Sequence, residues 1–221
     1  CKKDFRSDWE AVQMGYSAIN ETLPPSFSDF LIGHVSAKVA QKMENNIWTG
    51  TNATDGEFDG FLTTLGADTD VVDVTGTAST AANIIEEMGK IADAIPTSVY
   101  GAEDLTIYLS PNMYRNYIRA LGGFVATIGA NGVDNKGTSW YTNGALSFDG
   151  IPVVVAQGMP ASSMMAAQKS NLFFGTGLLN DTNEVKLLDM ANLDGSQNVR
   201  VIMRFTAAVQ MGINSDVVIY A

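Results

Sequence analysis

The sequence holds one cysteine and one histidine among 221 residues. A single thiol excludes an intramolecular disulfide framework and suits assembly in a reducing cytoplasm. One histidine, with the cysteine far away at position 1, cannot supply the four ligands of a zinc site. Basic residues are also scarce: 13 Lys and Arg stand against 24 Asp and Glu, for a net charge of −11. That balance argues against a reader of nucleic-acid grooves, which needs clustered Lys and Arg, though it leaves room for contact through a few local basic residues. No apolar run approaches the ~18 residues of a transmembrane helix, and no signal peptide is visible. No G-x-S-x-G elbow exists to carry a serine triad. Gly175-Thr176-Gly177 is half a dinucleotide fingerprint, without the third glycine or a following helix. Repeats, low-complexity tracts and linkers long enough to separate independent domains are all missing.

What is present is a globular composition, 46% apolar and 17% charged, in a chain long enough to bury the core of one large domain or two small ones. It begins Cys1-Lys2-Lys3, which fits the acylated start of a mature bacterial lipoprotein anchored at Cys1. Such proteins continue with a flexible polar tether, whereas here Phe5, Trp9, Val12, Met14 and Tyr16 follow at once.

The stretch from Pro24 to Gly50 organises the rest. Ser26 with Asp29 three residues on makes a capping box. Phe27, Phe30, Leu31, Val35, Val39, Met43 and Ile47 recur at spacings of three and four, the stripe of an amphipathic helix. Lys38, Gln41, Lys42 and Glu44 take the other side. The pattern predicts a helix over about 26–46, roughly 30 Å long at ~1.5 Å per residue, followed by a polar, Gly-rich loop from Thr49 to Gly60. Further on, 69–74 reads as a short strand. Thr80 starts a second helix with an apolar stripe through Ile84, Met88, Ile91 and Ile95, ended by Pro96. Leu105–Leu109 is β-rich. Ser110-Pro111 opens a third helix, which Gly122-Gly123 stops. A long loop follows over Gly129–Asn143. Asp149-Gly150 marks a hairpin between 145–148 and 151–156. Further strands are expected at 172–174, 184–190 and 217–220. Alternation from Asn198 to Met211 predicts one unusually long strand, with Val199, Val201, Met203, Phe205, Ala207, Val209 and Met211 on the buried face. Helix, strand and helix in succession imply α/β packing around a central sheet, within an expected fold class of α+β.

The candidate chemistry is thin. His34 reads as an ordinary helix histidine. Asp55, Glu57 and Asp59 alternate as calcium ligands might, but the closing Glu of an EF-hand is missing, so a solvated loop is expected. Asp68, Asp70 and Asp73 read as surface charge. Ten methionines read as adaptable core filler. Arg200 and Arg204 share the wet face of the long strand and fit either solubilising charge or ion pairing between subunits. With Trp140 and Tyr141 in the long loop they form the set of intersubunit contact candidates. No catalytic, cofactor or metal site is assigned, and a structural protein rather than an enzyme is expected.

Several segments resemble a known family in order. They are the long helix ending near Glu44, Ile47 and Trp48; the loop through Gly50 and "DGEFDGF"; the helix after Thr80; strand-Ser110-Pro111-Asn112-helix; "FDGIPVVVAQGMP"; "NLFFGTGL"; "NVRVIMRFTAAVQMG"; and "DVVIYA". Together they resemble the tailed-phage major capsid proteins of the Hong Kong 97 fold, over nearly the whole chain. The resemblance implies a peripheral domain with the spine helix and long strands, 1–75 plus about 185–212. It implies an axial domain with a central mixed sheet flanked by helices, about 76–184 plus 213–221. It also implies a head subunit that assembles with its own copies in a bacterial host cytoplasm into an icosahedral virion shell around non-specifically held DNA, with scaffold or protease as assembly partners, no cofactor and no membrane. An encapsulin-type nanocompartment shell is the alternative within the fold, and the lipoprotein or binding module anchored at Cys1 is the alternative outside it. The family's N-terminal arm and extended loop precede the spine helix and find no counterpart in this sequence. The chain alone is therefore expected to stay as monomers or small rings, and no cross-linking site is assigned.

Overall fold

The computed structural model describes residues 4, 8–9, 27–121, 146–177, 184–190, 195–196 and 198–220. The expected cap at Ser26, the stop at Gly122-Gly123, and the long loop with Trp140 and Tyr141 lie outside the described residues. The chain divides into two compact units, one comprising Cys1–Met43 and Thr176–Ala207, the other Glu44–Gly175 and Ala208–Ala221.

The second unit is built on a six-stranded mixed sheet. Its strands are β1 (Val72–Val74), β2 (Leu105–Leu109), β3 (Ser147–Phe148), β4 (Ile151–Val155), β5 (Met164–Gln168) and β10 (Val218–Tyr220), in the order β1-β10-β5-β2-β4-β3. β1 pairs parallel with β10 and β2 parallel with β4, while β5 runs antiparallel between β10 and β2. The hairpin β3–β4 forms as expected: Asp149 and Gly150 both have positive φ, 49° and 82°, the backbone of a tight primed turn, which glycine adopts without penalty.

β5 is the strand that sequence reading misses. Its MMAAQ sequence carries little β propensity, yet it lies at the centre of the sheet, with four of its five residues buried. Its alternation separates two cores. Met164 and Ala166 belong to one cluster with Ile107, Val153, Val218 and Tyr220. Met165 and Ala167 belong to the other, with Trp48, Leu65, Val217 and Ile219. Successive side chains of a strand point to opposite faces, so these are the two faces of the sheet.

Helices α3 (Ile84–Ala94) and α4 (Pro111–Leu121) supply Ile84, Met88, Ile91, Met113 and Tyr117 to the first face. α3 begins four residues later than expected. Asn83 Oδ1 accepts from the Thr80 amide at 2.6 Å and from the Thr80 hydroxyl at 3.0 Å, which holds that segment as a turn. It ends as Pro96 dictates, with Ile95 in extended backbone. The second face receives the short helix α2 (Phe61–Leu65) and Trp48 near the end of α1 (Phe27–Thr49). α1 runs three residues past the expected 46. Trp48 is buried there, 5.8 Å from the Phe61 ring and 5.5 Å from the Tyr108 ring, with its indole N–H donating to Glu44 at 3.0 Å.

The expected long strand over Asn198–Met211 is two strands. β8 (Val199–Arg204) pairs antiparallel with β7 (Glu184–Asp189), whereas β9 (Ala207–Met211) pairs with β6 (Leu172–Thr176). The ladder breaks at Phe205 and Thr206, both exposed. Alternating polarity continues through the break, so the pattern alone does not reveal the change of partner.

Candidate self-association surfaces

In the first unit, the β7–β8 register aligns Val185 with Met203 and Leu187 with Val201, and aligns Lys186 with Ile202 and Leu188 with Arg200. One face of the ribbon is therefore apolar except for Asp189, opposite Val199 at its end, and the other is mixed, since directly opposed residues share a face. Arg200 and Arg204 are both exposed on the mixed face, as expected. The apolar face joins α1 around an open hollow of about 260 Å³, lined by Ser36, Val39, Met43, Val185, Met203 and Phe205 among others. On α1 itself Leu31 is buried, Val35 and Val39 are half-buried, and Lys38, Gln41 and Lys42 face solvent. His34 is exposed.

In the second unit the ribbon β6–β9 displays aromatic surface. Phe173 is 54% and Phe174 50% exposed, and as neighbours on a strand they project to opposite faces. Ile213, 56% exposed, stands on a rigid bracket. The buried Asn171 amide oxygen accepts from the Gly212 and Ile213 amides at 3.0 and 2.7 Å, while its nitrogen donates to the Ile213 carbonyl at 2.7 Å. These exposed residues were not singled out from sequence. The available signal was the Phe-Phe pair, because two adjacent residues of one strand cannot both enter the same core.

The acidic groups read as solvated also carry structure. Asp59 accepts from the Asn52 amide and side chain, both at 2.8 Å, and Glu57 from the Thr51 amide at 3.4 Å. The loop is closed further by the Gly60 amide on the Gly50 carbonyl at 3.0 Å. These carboxylates fold the loop onto itself. Asp68 accepts from the Asp70 amide at 2.9 Å and from the Asn214 side chain, and these hydrogen bonds hold its carboxyl below the usual range. Asp70 and Asp73 are exposed, as expected.

Among the described residues Glu87, 2% exposed on α3, is strongly shifted. Burial alone would raise its pKa. Hydrogen bonds from Tyr220 (2.5 Å), Lys90 (2.9 Å) and Thr77 (2.7 Å) overcome that, aided by the Lys90 charge, and hold it at about 2. Burial first, then the bond to Glu87, pushes the Tyr220 phenol up to about 12. The network fastens β10 to α3. Among the described residues no group of three or more His, Cys, Asp or Glu could hold a metal ion, and no helix is long and apolar enough to cross a membrane.

No family profile matches the chain, and no curated protein matches it by sequence. Solved structures match it by shape. A chain of Mycobacterium phage Che8 aligns at 10% identity and TM-score 0.57, over 88% of this chain and 63% of its own length. A chain of the satellite phage P4 procapsid aligns at 8% identity and TM-score 0.58, over 97% and 71%. A chain of the empty GTA particle capsid aligns at 14% identity and TM-score 0.59, over 90% and 68%. The fold also extends to the SrpI encapsulin of Synechococcus elongatus PCC 7942, at 8% identity and TM-score 0.52, over 95% and 69%. The chain thus has the α+β fold of phage capsid proteins, with a central mixed sheet, and spans under two thirds of the Che8 chain.

Proposed function

We propose that this chain is the shell-forming subunit of a tailed phage or prophage head, with the Hong Kong 97 architecture. The observation that carries the reading is the likeness of fold, over nearly nine tenths or more of this chain, to chains of the P4 procapsid and the GTA capsid. The unit built on the six-stranded sheet is then the axial domain. The unit with most of α1 and the β7–β8 ribbon is the peripheral domain. Its work is self-association and not catalysis. Each copy exposes Phe173, Phe174 and Ile213 on one unit and Val185 and Phe205 on the other, apolar surface of the kind that marks protein contacts. Individual contacts can be weak, because a closed shell repeats each of them many times. Arg200, Arg204, Trp140 and Tyr141 remain the proposed polar and aromatic contacts between copies. DNA is the enclosed partner, and assembly takes place in the bacterial cytoplasm with scaffold or protease as helpers.

The test is to express the complete gene and image its product by electron microscopy. Closed particles holding nuclease-protected nucleic acid support the reading. Particles filled with a single protein species would move it to an encapsulin shell. A protein that stays monomeric under every assembly condition would overturn it.

A further inference from the structure

The two helices on the first face of the sheet carry opposite charge on their outer sides. On α3, Glu86 and Asp93 are exposed. They are seven residues apart, two turns of helix, and so lie along one stripe. On α4, Arg115 and Arg119 are exposed at the four-residue spacing that aligns side chains. None of the four has a hydrogen-bond or ion-pair partner among the described residues. The helices pack against each other, and their inner faces are committed to the core through Ile84, Met88, Ile91, Met113 and Tyr117. Lys90, between Glu86 and Asp93 on α3, is paired with the buried Glu87, so the layer has net acidic charge left over on one helix and basic charge on the next, in a chain with nearly two acidic residues for each basic one. Each helix also exposes one large apolar side chain, Ile85 on α3 and Leu121 on α4.

We propose that this helical layer is a contact surface for a second copy of the chain, in which Arg115 and Arg119 of one copy meet Glu86 and Asp93 of the other. A surface carrying both signs, side by side and unpaired, is complementary to itself. Contact relieves the unpaired charges, while juxtaposition of like stripes is penalised and fixes the register. The inference deepens the shell-subunit reading by naming a surface, and it rests on that reading only for the statement that copies associate.

Complementary charge reversal tests it. R115E/R119E makes both stripes acidic, and E86R/D93R makes both basic. All four side chains are exposed and unpartnered, so both variants should fold, which circular dichroism checks. Sedimentation of the full chain at low ionic strength reads association. Each variant alone should associate about 100-fold more weakly than the unaltered chain, since like charges opposed across an interface cost several kcal/mol. An equimolar mixture should regain association, because each variant now complements the other. Failure of the mixture to regain it overturns the pairing. Variants that associate as strongly as the unaltered chain also overturn it, and leave the shell reading standing. An unaltered chain that stays monomeric at every concentration also overturns the pairing, and the shell reading is then decided separately by the product of the complete gene.

Discussion

The Tyr220 hydroxyl lies 2.5 Å from Glu87 Oε2, closing a contact across 133 positions of sequence. The same hydroxyl accepts from the Thr77 amide at 3.0 Å. One phenol thus joins strand β10, helix α3 and the segment that leads into that helix. Hydrogen bonds to a charged, buried group rank among the stronger ones, about 1.5–3 kcal/mol each. Tyr220→Phe should therefore lower the stability of the sheet unit by about that amount, read as a shift in its denaturant midpoint. Glu87→Ala should cost at least as much, since it leaves Lys90 without its carboxylate and the phenol with only the Thr77 carbonyl, at 3.1 Å, to accept from it. A double-mutant cycle should show coupling between the two sites. Additive losses would mean that the contact contributes nothing of its own.

The same pair sets a pH dependence. Glu87 has an ordinary value of 4.5 and is held at about 2 in the folded chain. A depressed carboxyl stabilises the fold fully above its unfolded value, and that stabilisation drains away as pH falls from about 4.5 towards 2. Asp68 and Asp104 are shifted in the same direction, by hydrogen bonds from the Asp70 amide and from Ser170 respectively, and add to the acid loss. Tyr220 acts at the other end. Its pKa is raised from 10.0 to about 12, so its contribution is complete below pH 10 and is lost as pH climbs through 12. Unfolding midpoints measured down the acid range should fall, and Glu87→Gln should make the fall shallower. An unchanged acid slope in that variant would refute the assignment.

Gly76 reports on the same corner. A Cβ built there collides with the Tyr220 ring. The obstacle is a rigid aromatic that is pinned by its hydrogen bonds and 1% exposed, so it cannot swing away cheaply. Gly76→Ala should destabilise the sheet unit by about 1–3 kcal/mol, the usual penalty of overpacking. Combining it with Tyr220→Ala should remove most of the additional penalty. Measured stabilities of the single and double variants decide the point.

Much of this architecture was legible because local signals agreed with the fold. Ser110-Pro111 opens α4, Asp149-Gly150 makes its turn, and LTIYL is β2 with the limits expected. What escaped was set by partners distant in sequence. β5 is a strand because β2 and β10 flank it, and its alanines suit a crowded sheet centre rather than any intrinsic preference. The break at Phe205-Thr206 arises from a change of pairing partner, which alternation does not record. Nothing in the sequence around Glu87 announces Tyr220, which is placed against it from 133 positions away. The candidate surfaces were the least legible, since exposure of Phe173 and Phe174 depends on what fails to cover them.

The last prediction concerns the spine. Leu31 and Val35 are one turn apart on the same stripe of α1, and sequence alone treats them alike. The structure separates them: Leu31 is 5% exposed, whereas Val35 is half-buried. Leu31→Asp would place a carboxylate where water cannot reach it, at a cost of about 3–5 kcal/mol. At Val35 an aspartate can turn its oxygens toward solvent, and the cost should be nearer ~1–2 kcal/mol. The chain has two compact units, so a single melting temperature is a poor readout. Amide exchange along α1 resolves the unit in question. Leu31→Asp should speed exchange there far more than Val35→Asp, while the six-stranded sheet keeps its protection. Equal effects of the two substitutions would mean that Leu31 is no more buried in solution than its neighbour one turn away.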